Sequence, residues 1–231
     1  MNNKVELIDH VGGDKLHSLA AWASTFYDLD LEMPTDPKIR VDHIVDYILS
    51  KSKRMRNIED LLHYLALNEH ESPFRMSSLI FGMTTDVATH IQKLKHSVIL
   101  EAENAESAKY KELIEDKFYI PEDWKRASPK WADLLERHTL NSNQLYHQAL
   151  FELRPILGDK RAKETARYFK TYNSQLNSMN KFSFAGVMTF YNKRTVSFAQ
   201  EEIKDIAKQM VQCIKDIPGN PYEYSLKAFG V

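Results

Sequence analysis

The chain has 231 residues, 43% hydrophobic and 27% charged, the balance of an ordinary soluble globular protein whose core needs no staples. Its 31 Lys and Arg against 32 Asp and Glu leave a formal charge of −1. That speaks against a role dominated by nucleic acid or a membrane surface, while leaving room for a local basic pocket that holds a nucleotide phosphate. Cys213 is the only cysteine, which excludes an intramolecular disulfide and a thiolate metal cluster within one chain.

Residues 4–9 alternate as a short strand; their charges lack the apolar stretch of a signal peptide, and no run of 18 apolar residues follows anywhere, so a cytoplasmic protein is expected. Gly12-Gly13 breaks the strand, and Leu16, Leu19 and Ala20 begin a helical pattern. Residues 28–38, with Pro34 and Pro37, read as a loop. Val41, Ile44, Val45 and Ile48 form a helical stripe, and Ile58, Leu61, Leu62 and Leu65 form another beyond a basic turn at 51–56. A strand is expected over 75–81, turning at Gly82, and then a helix over 86–98. In that helix Val87, Ile91 and Leu94 share the packed side, and Gln92, Lys95 and His96 share another. Pro121 and Pro129 punctuate a loop containing Trp124. Residues 131–157 read as helix, Glu164, Arg167, Tyr168 and Lys170 lie on the next helical stretch, and 176–193 hold a strand and a helix. A last long helix carries Ala199, Ile203, Ile206, Met210 and Ile214 and ends at Pro218-Gly219; Cys213 fits its packing as a small apolar residue. With no repeat or linker, one domain over 1–231 is the simplest organisation.

No metal-ligand spacing and no Gly-rich phosphate fingerprint is present; His70 and His96 stand alone. Two segments carry chemistry. One runs from His70-Glu71-Ser72-Pro73-Phe74 through Gln92 and His96 to Asn104-Ala105-Glu106-Ser107-Ala108-Lys109-Tyr110. The other holds Glu164-Thr165-Ala166-Arg167 and then Arg194 with Ala199-Gln200. Ser107 offers a hydroxyl, and Lys109 and Arg167 offer cations suited to a phosphate. Arg194 could grip a planar pyrimidine edge through its fork of donors. The plainer alternative is that Lys109, Arg167 and Arg194 are solvated surface charges.

The order of these segments, over about residues 4–215, resembles the flavin-dependent thymidylate synthases. Their Arg-His-Arg and Ser-x-Asn-Glu-x-Ser-x-Arg-Tyr elements are similar to Lys95-His96-Ser97 and Asn104-Ala105-Glu106-Ser107-Ala108-Lys109-Tyr110, with two extra residues between. The other matches are His70-Glu71-Ser72-Pro73-Phe74, Glu164-Thr165-Ala166-Arg167, and Arg194 with Ala199-Gln200. The resemblance implies an α/β fold with a central mixed sheet and flanking helices, a homotetramer with active sites between subunits, and conversion of dUMP to dTMP. It further implies methylenetetrahydrofolate, FAD and NADPH as cofactors, with no metal. Gln92, Ser107, Lys109, Arg167 and Arg194 would bind the nucleotide, Arg194 and Ser107 would be catalytic, and His70, Lys95 and His96 would face the flavin. Ser97, Ala105, Ser183, Ala185 and Thr189 depart from the family pattern, mostly on the flavin side. Those departures leave open a flavin-independent one-carbon transfer, or a nucleotide-binding homologue without catalysis.

Overall fold

Strand β1, Lys4–Val11, points Val5 and Leu7 into the core and Lys4 and Glu6 outward, as the two-residue period requires. The computed structural model describes residues 2–25, 31–51, 57–96 and 99–231. Gly12 and Gly13 end the strand with φ of 128° and 127°. A Cβ on either would lie 2.6 Å from Ser77 Cβ or from the Pro221 carbonyl oxygen, so only glycine fits where the chain enters helix α1, Asp14–Trp22. The apolar stripes become α2, Arg40–Lys51, and α3, Ile58–Leu67, which bury Val45, Ile48, Leu62 and Leu65. Of the expected loop at 28–38 and basic turn at 51–56, residues 28–30 and 52–56 lie outside the described residues; Pro37–Ile39 is a 3₁₀ turn.

The second strand starts later than the sequence suggests. Ser72–Arg75 is a 3₁₀ turn, and β2 spans Ser78–Asp86. Gly82 continues this strand and makes no turn. Its missing side chain admits Ile8 of β1, whose Cδ1 would be 3.1 Å from a Cβ at that position. Helix α4, Val87–Leu94, is followed by β3, Leu100–Ala105, a strand of small and charged residues that apolar alternation does not reveal. Trp124 lies on a short helix α5, Glu122–Ala127, where a loop was expected. Pro129 opens helix α6, Pro129–Leu157, at a position where a missing N–H has no partner to lose. Helix α7, Asp159–Ala166, stops before Arg167, which with Tyr168 forms the 3₁₀ turn Arg167–Phe169; Lys170 is extended. The chain continues through β4 (Gln175–Phe182), α8 (Phe184–Arg194), α9 (Glu201–Lys215) and α10 (Glu223–Ala228). Cys213 is half-buried on α9, its Sγ 3.7 Å from the Val5 carbonyl oxygen.

The α/β fold with a central sheet and flanking helices is as expected. β2 and β3 run the same way with α4 between them in sequence, but β4 enters between them, giving the order β1-β2-β4-β3. All three ladders are therefore antiparallel, where the family resemblance had implied a mixed sheet. One face, with Val5, Leu79, Phe81, Met83 and Phe182, packs into a core shared with α3, α8, α9 and α10. The other face presents Lys4, Glu6, Ile8, Asn177 and Met179 to the surface. A separate cluster, with Tyr146, Leu150, Ala162 and Ala166, joins α6 to α7. Among the described residues no helix is long and apolar enough to cross a membrane, and no side-chain group could hold a metal ion.

Candidate functional site

Asp86 passes the chain from β2 to α4 and is firmly held. Its Oδ1 accepts from the Thr89 backbone at 2.9 Å, capping the helix; Oδ2 accepts from Thr89 Oγ1 at 2.7 Å and from Asn3 Nδ2 at 2.6 Å. This cap fixes the helix that places Gln92 and leads into Lys95 and His96. Periodicity predicts that Val87, Ile91 and Leu94 face the packed side, but the helix is turned the other way. Thr89, His90 and Lys93 are buried, while Ile91 and Leu94 are each 39% exposed.

The neighbouring strands explain the inversion. Lys93 Nζ donates to Glu103 Oε1 at 2.8 Å, to Ser178 Oγ at 3.2 Å and to Asn180 Oδ1. Burial pushes the Lys93 pKa down against the opposing pull of Glu103. Burial and then the Lys93 charge lower that of His90, whose Nε2 lies 3.4 Å from Glu103. This buried polar network went unread in the sequence; its one signal is the polar face formed by Thr89, His90 and Lys93 at helical spacing.

On the same helix, Gln92 Nε2 donates to Gln200 Oε1 at the N-cap of α9. His96 meets Phe190 of α8 edge to face, with ring centroids 5.4 Å apart. Burial, then the charges of Arg194 and Lys193, hold His96 below the usual histidine range, so its imidazole is neutral at pH 7. Arg194 Nε and His96 Nε2 are buried without a hydrogen-bond partner among the described residues. An unmet buried donor or acceptor costs about 1–3 kcal/mol. The corner made by Gln92, His96, Arg194 and Gln200 is therefore short of a polar partner, and the Arg194 fork can take two acceptors from one edge of a planar ring.

Ser107 and Lys109 stand in the segment after β3. The Ser107 carbonyl accepts from the backbones of Tyr110 and Lys111 at 3.0 Å each, and Ser107 Oγ accepts from the Lys109 backbone at 3.3 Å. The Lys109 ammonium lies 5.5 Å from the centre of the Tyr110 ring. Arg167 begins the turn after α7. Among the described residues neither Lys109 nor Arg167 is in an ion pair, so both cations are free to meet an anion. No hydrogen bond or ion pair among the described residues joins this group to the Arg194 corner.

His70 is not brought to either group. Its backbone donates to the Leu65 carbonyl, and the turn that follows packs Phe74 against Phe184 at the start of α8. Arg194 ends the same helix, about 15 Å away at 1.5 Å per residue. Lys95 is exposed, and Ser97 lies outside the described residues. Ser183 Oγ caps α8 by accepting from the Gly186 backbone at 3.2 Å, and Ala185 has no exposed surface. At these positions the Ser183 hydroxyl is spent on the helix cap, and Ala185 offers no polar side-chain atom.

Comparison with known proteins identifies the family. The model of the thymidylate synthase complementing protein family, Thy1, matches residues 6–218. The chain belongs to that family, as the motif order implied. It is 27% identical over 223 residues to a flavin-dependent thymidylate synthase of Pseudothermotoga lettingae, covering 95% of this chain and 88% of that one. It is 26% identical over 225 residues to one of Streptomyces avermitilis, covering 89% and 83%. Among solved structures it shares its fold with the UMP/dUMP methylase PolB of Streptomyces cacaoi bound with 5-Br dUMP. The TM-score is 0.76 at 20% identity, over 99% of this chain and 95% of that one.

Proposed function

We propose that the chain methylates a pyrimidine deoxynucleotide, converting dUMP to dTMP with methylenetetrahydrofolate as carbon donor and FAD and NADPH as the source of hydride. The observation that carries this reading is the Arg194 corner, where two buried polar atoms beside Gln92 and Gln200 lack partners among the described residues. A uracil edge supplies the acceptors they need. A guanidinium fixed at a ring carbonyl stabilises charge as C5 attacks the one-carbon unit. Ser107, Lys109 and Arg167 then take the phosphate. Their separation from the corner within one chain supports a homotetramer in which two subunits complete each site. FAD, when bound, supplies the hydride; Lys95 and His96, with His70, are the residues retained to face it.

Retained nucleotide residues beside altered flavin-side positions, where Ser183 is spent on a helix cap and Ala185 has no polar side-chain atom, favour a second reading, transfer of a one-carbon unit without flavin to give a hydroxymethyl nucleotide. One incubation separates these. Purified protein is given dUMP or dCMP, methylenetetrahydrofolate, FAD and NADPH, and the nucleotide product is identified by mass. dTMP formed only with FAD supports the first reading, and a hydroxymethyl product without FAD supports the second. Nucleotide binding with no product would leave a homologue that binds without catalysis.

A further inference from the structure

Residues 106–121, which carry Ser107 and Lys109, contain no regular element, so their position depends on what holds them. At the far end they are stitched to the residues before and at the start of β4. The Gln175 backbone donates to the Lys117 carbonyl at 2.9 Å, and Tyr119 donates to that of Asn173 at 2.8 Å; Asn173 Nδ2 returns a bond to the Tyr119 carbonyl at 2.9 Å. Nearer the middle, the attachment is made by side chains around Asp116. Lys170 Nζ donates to Asp116 Oδ1 at 2.6 Å and to Asn143 Oδ1 at 2.8 Å, 4.4 Å from the centre of the Tyr146 ring. His147 Nε2 lies 2.9 Å from Asp116 Oδ2, and Tyr146 Oη accepts from the Leu113 backbone at 3.0 Å.

Three features make this more than a surface ion pair. The Lys170 side chain is only 9% exposed, so its charge is largely removed from water and depends on Asp116. Asp116 has φ of 49°, a left-handed conformation that few residue types other than glycine, aspartate and asparagine adopt readily. Lys170 also closes the turn that starts at Arg167, its backbone donating to the Arg167 carbonyl at 3.0 Å. One carboxylate thus ties the segment bearing Ser107 and Lys109 to the turn bearing Arg167.

We propose that Asp116 is a positioning residue, which holds Ser107 and Lys109 in register with Arg167 so that the three cradle one phosphate. The inference rests on the nucleotide reading above. Burial alone would raise the Asp116 carboxyl, but hydrogen bonds from Lys170 and His147 outweigh it and hold it below the ordinary carboxylate range. The carboxylate is therefore charged throughout the neutral range, and the clamp stays closed.

The test is Asp116→Asn, which keeps the shape and the tolerance for left-handed backbone but removes the charge, with Lys170→Met as a second variant. Calorimetric titration with dUMP and with 2′-deoxyuridine separates phosphate from base, and amide hydrogen exchange follows the two segments directly. Both variants are expected to bind dUMP about ten-fold more weakly, the scale of one charge-assisted contact. Deoxyuridine affinity should stay unchanged, and exchange should rise in both 106–119 and 167–175. Equal loss for both ligands, or a lowered unfolding temperature with unchanged dUMP affinity, would show a merely structural brace and overturn the proposal. If the unaltered protein binds neither ligand, the nucleotide reading fails on its own. Exchange then decides the clamp: a rise confined to one segment sinks it.

Discussion

Lys93→Met tests how the candidate binding helix is anchored. The lysine side chain is 1% exposed and supplies the donor for Glu103, Ser178 and Asn180 together. Its removal leaves the Glu103 carboxylate, 15% exposed, with His90, whose pKa burial lowers, as its remaining titratable neighbour at 3.4 Å. Removing one partner of a buried pair costs about 3–5 kcal/mol, and the residual exposure of Glu103 places this case near about 3. At about 2–4 °C per kcal/mol for a chain of this size, the unfolding midpoint should fall by about 6–12 °C. The double variant Lys93→Met/Glu103→Leu removes both charges and should recover most of the loss. About 1–2 kcal/mol should remain, because Asn180 Oδ1 still lacks its donor. Urea unfolding followed by circular dichroism measures all members of the cycle. A single variant within about 1 kcal/mol of the parent, or a double no better than the single, would refute the argument that a buried charge pair turns α4 inward.

Arg167→Ala should weaken dUMP binding about 10- to 100-fold, the equivalent of about 1.5–3 kcal/mol for a charge-assisted bond, without altering the fold; an unchanged dissociation constant by calorimetry removes Arg167 from the site. Ser97→Arg restores the guanidinium of the family pattern and should tighten FAD binding in a fluorescence titration, and equal affinity in both proteins would place any flavin elsewhere. His17 is buried against Phe74, Phe184 and Tyr222, and burial lowers its pKa from 6.5 to about 3. Between those values the unfolded chain takes up a proton that the folded chain refuses, so stability should fall as pH drops, by about 1.4 kcal/mol per unit. His17→Gln should lack that component of the slope when urea midpoints are compared from pH 7 to pH 4, and identical slopes would contradict the assignment.

Long helices with one apolar stripe were legible from sequence alone. α2, α3 and α9 bury Val45 and Ile48, Leu62 and Leu65, and Ile203, Ile206, Met210 and Ile214 as their spacing predicts, with Val41, Ile44, Ile58 and Leu61 half-buried beside them and Ala199 lying before α9 starts, because each packs against an apolar neighbour. α4 failed the same rule because its partners are polar. Ser178 and Asn180 alternate along β4, and the hint within Val87–Leu94 that an amide and a hydroxyl await it is the polar face of Thr89, His90 and Lys93. β3 escaped notice for a related reason: at a sheet edge it needs no apolar alternation, and Leu100–Ala105 has almost none. In the site, motif order implied Gln92, His96 and Arg194, and folding gathers them. It could not show that no hydrogen bond or ion pair among the described residues joins Ser107, Lys109 or Arg167 to the Arg194 corner, or that the turn after His70 packs against the start of α8 while Arg194 ends it, since linear order carries no direction in space. Asp116 and Lys170 lie outside every recognisable pattern and acquire meaning only from their 2.6 Å contact.

The placement of β4 also governs when this molecule can take shape. β2 ends at Asp86 and β4 begins at Gln175, yet the two are neighbours, and among the described residues β3 has no other strand to pair with. A nascent chain emerging from the ribosome therefore holds β2 and β3 with an empty slot between them until residue 182 is made. Both edges of that slot carry unpaired backbone groups, the kind of surface on which chains stick to one another. Pairing across so long a stretch of sequence is entropically slow, so insertion of β4 is expected to limit the rate of folding. The same event draws the turn at Arg167 up to the segment holding Ser107 and Lys109. Until that late strand arrives, the chain has neither a complete sheet nor the cradle proposed for a phosphate.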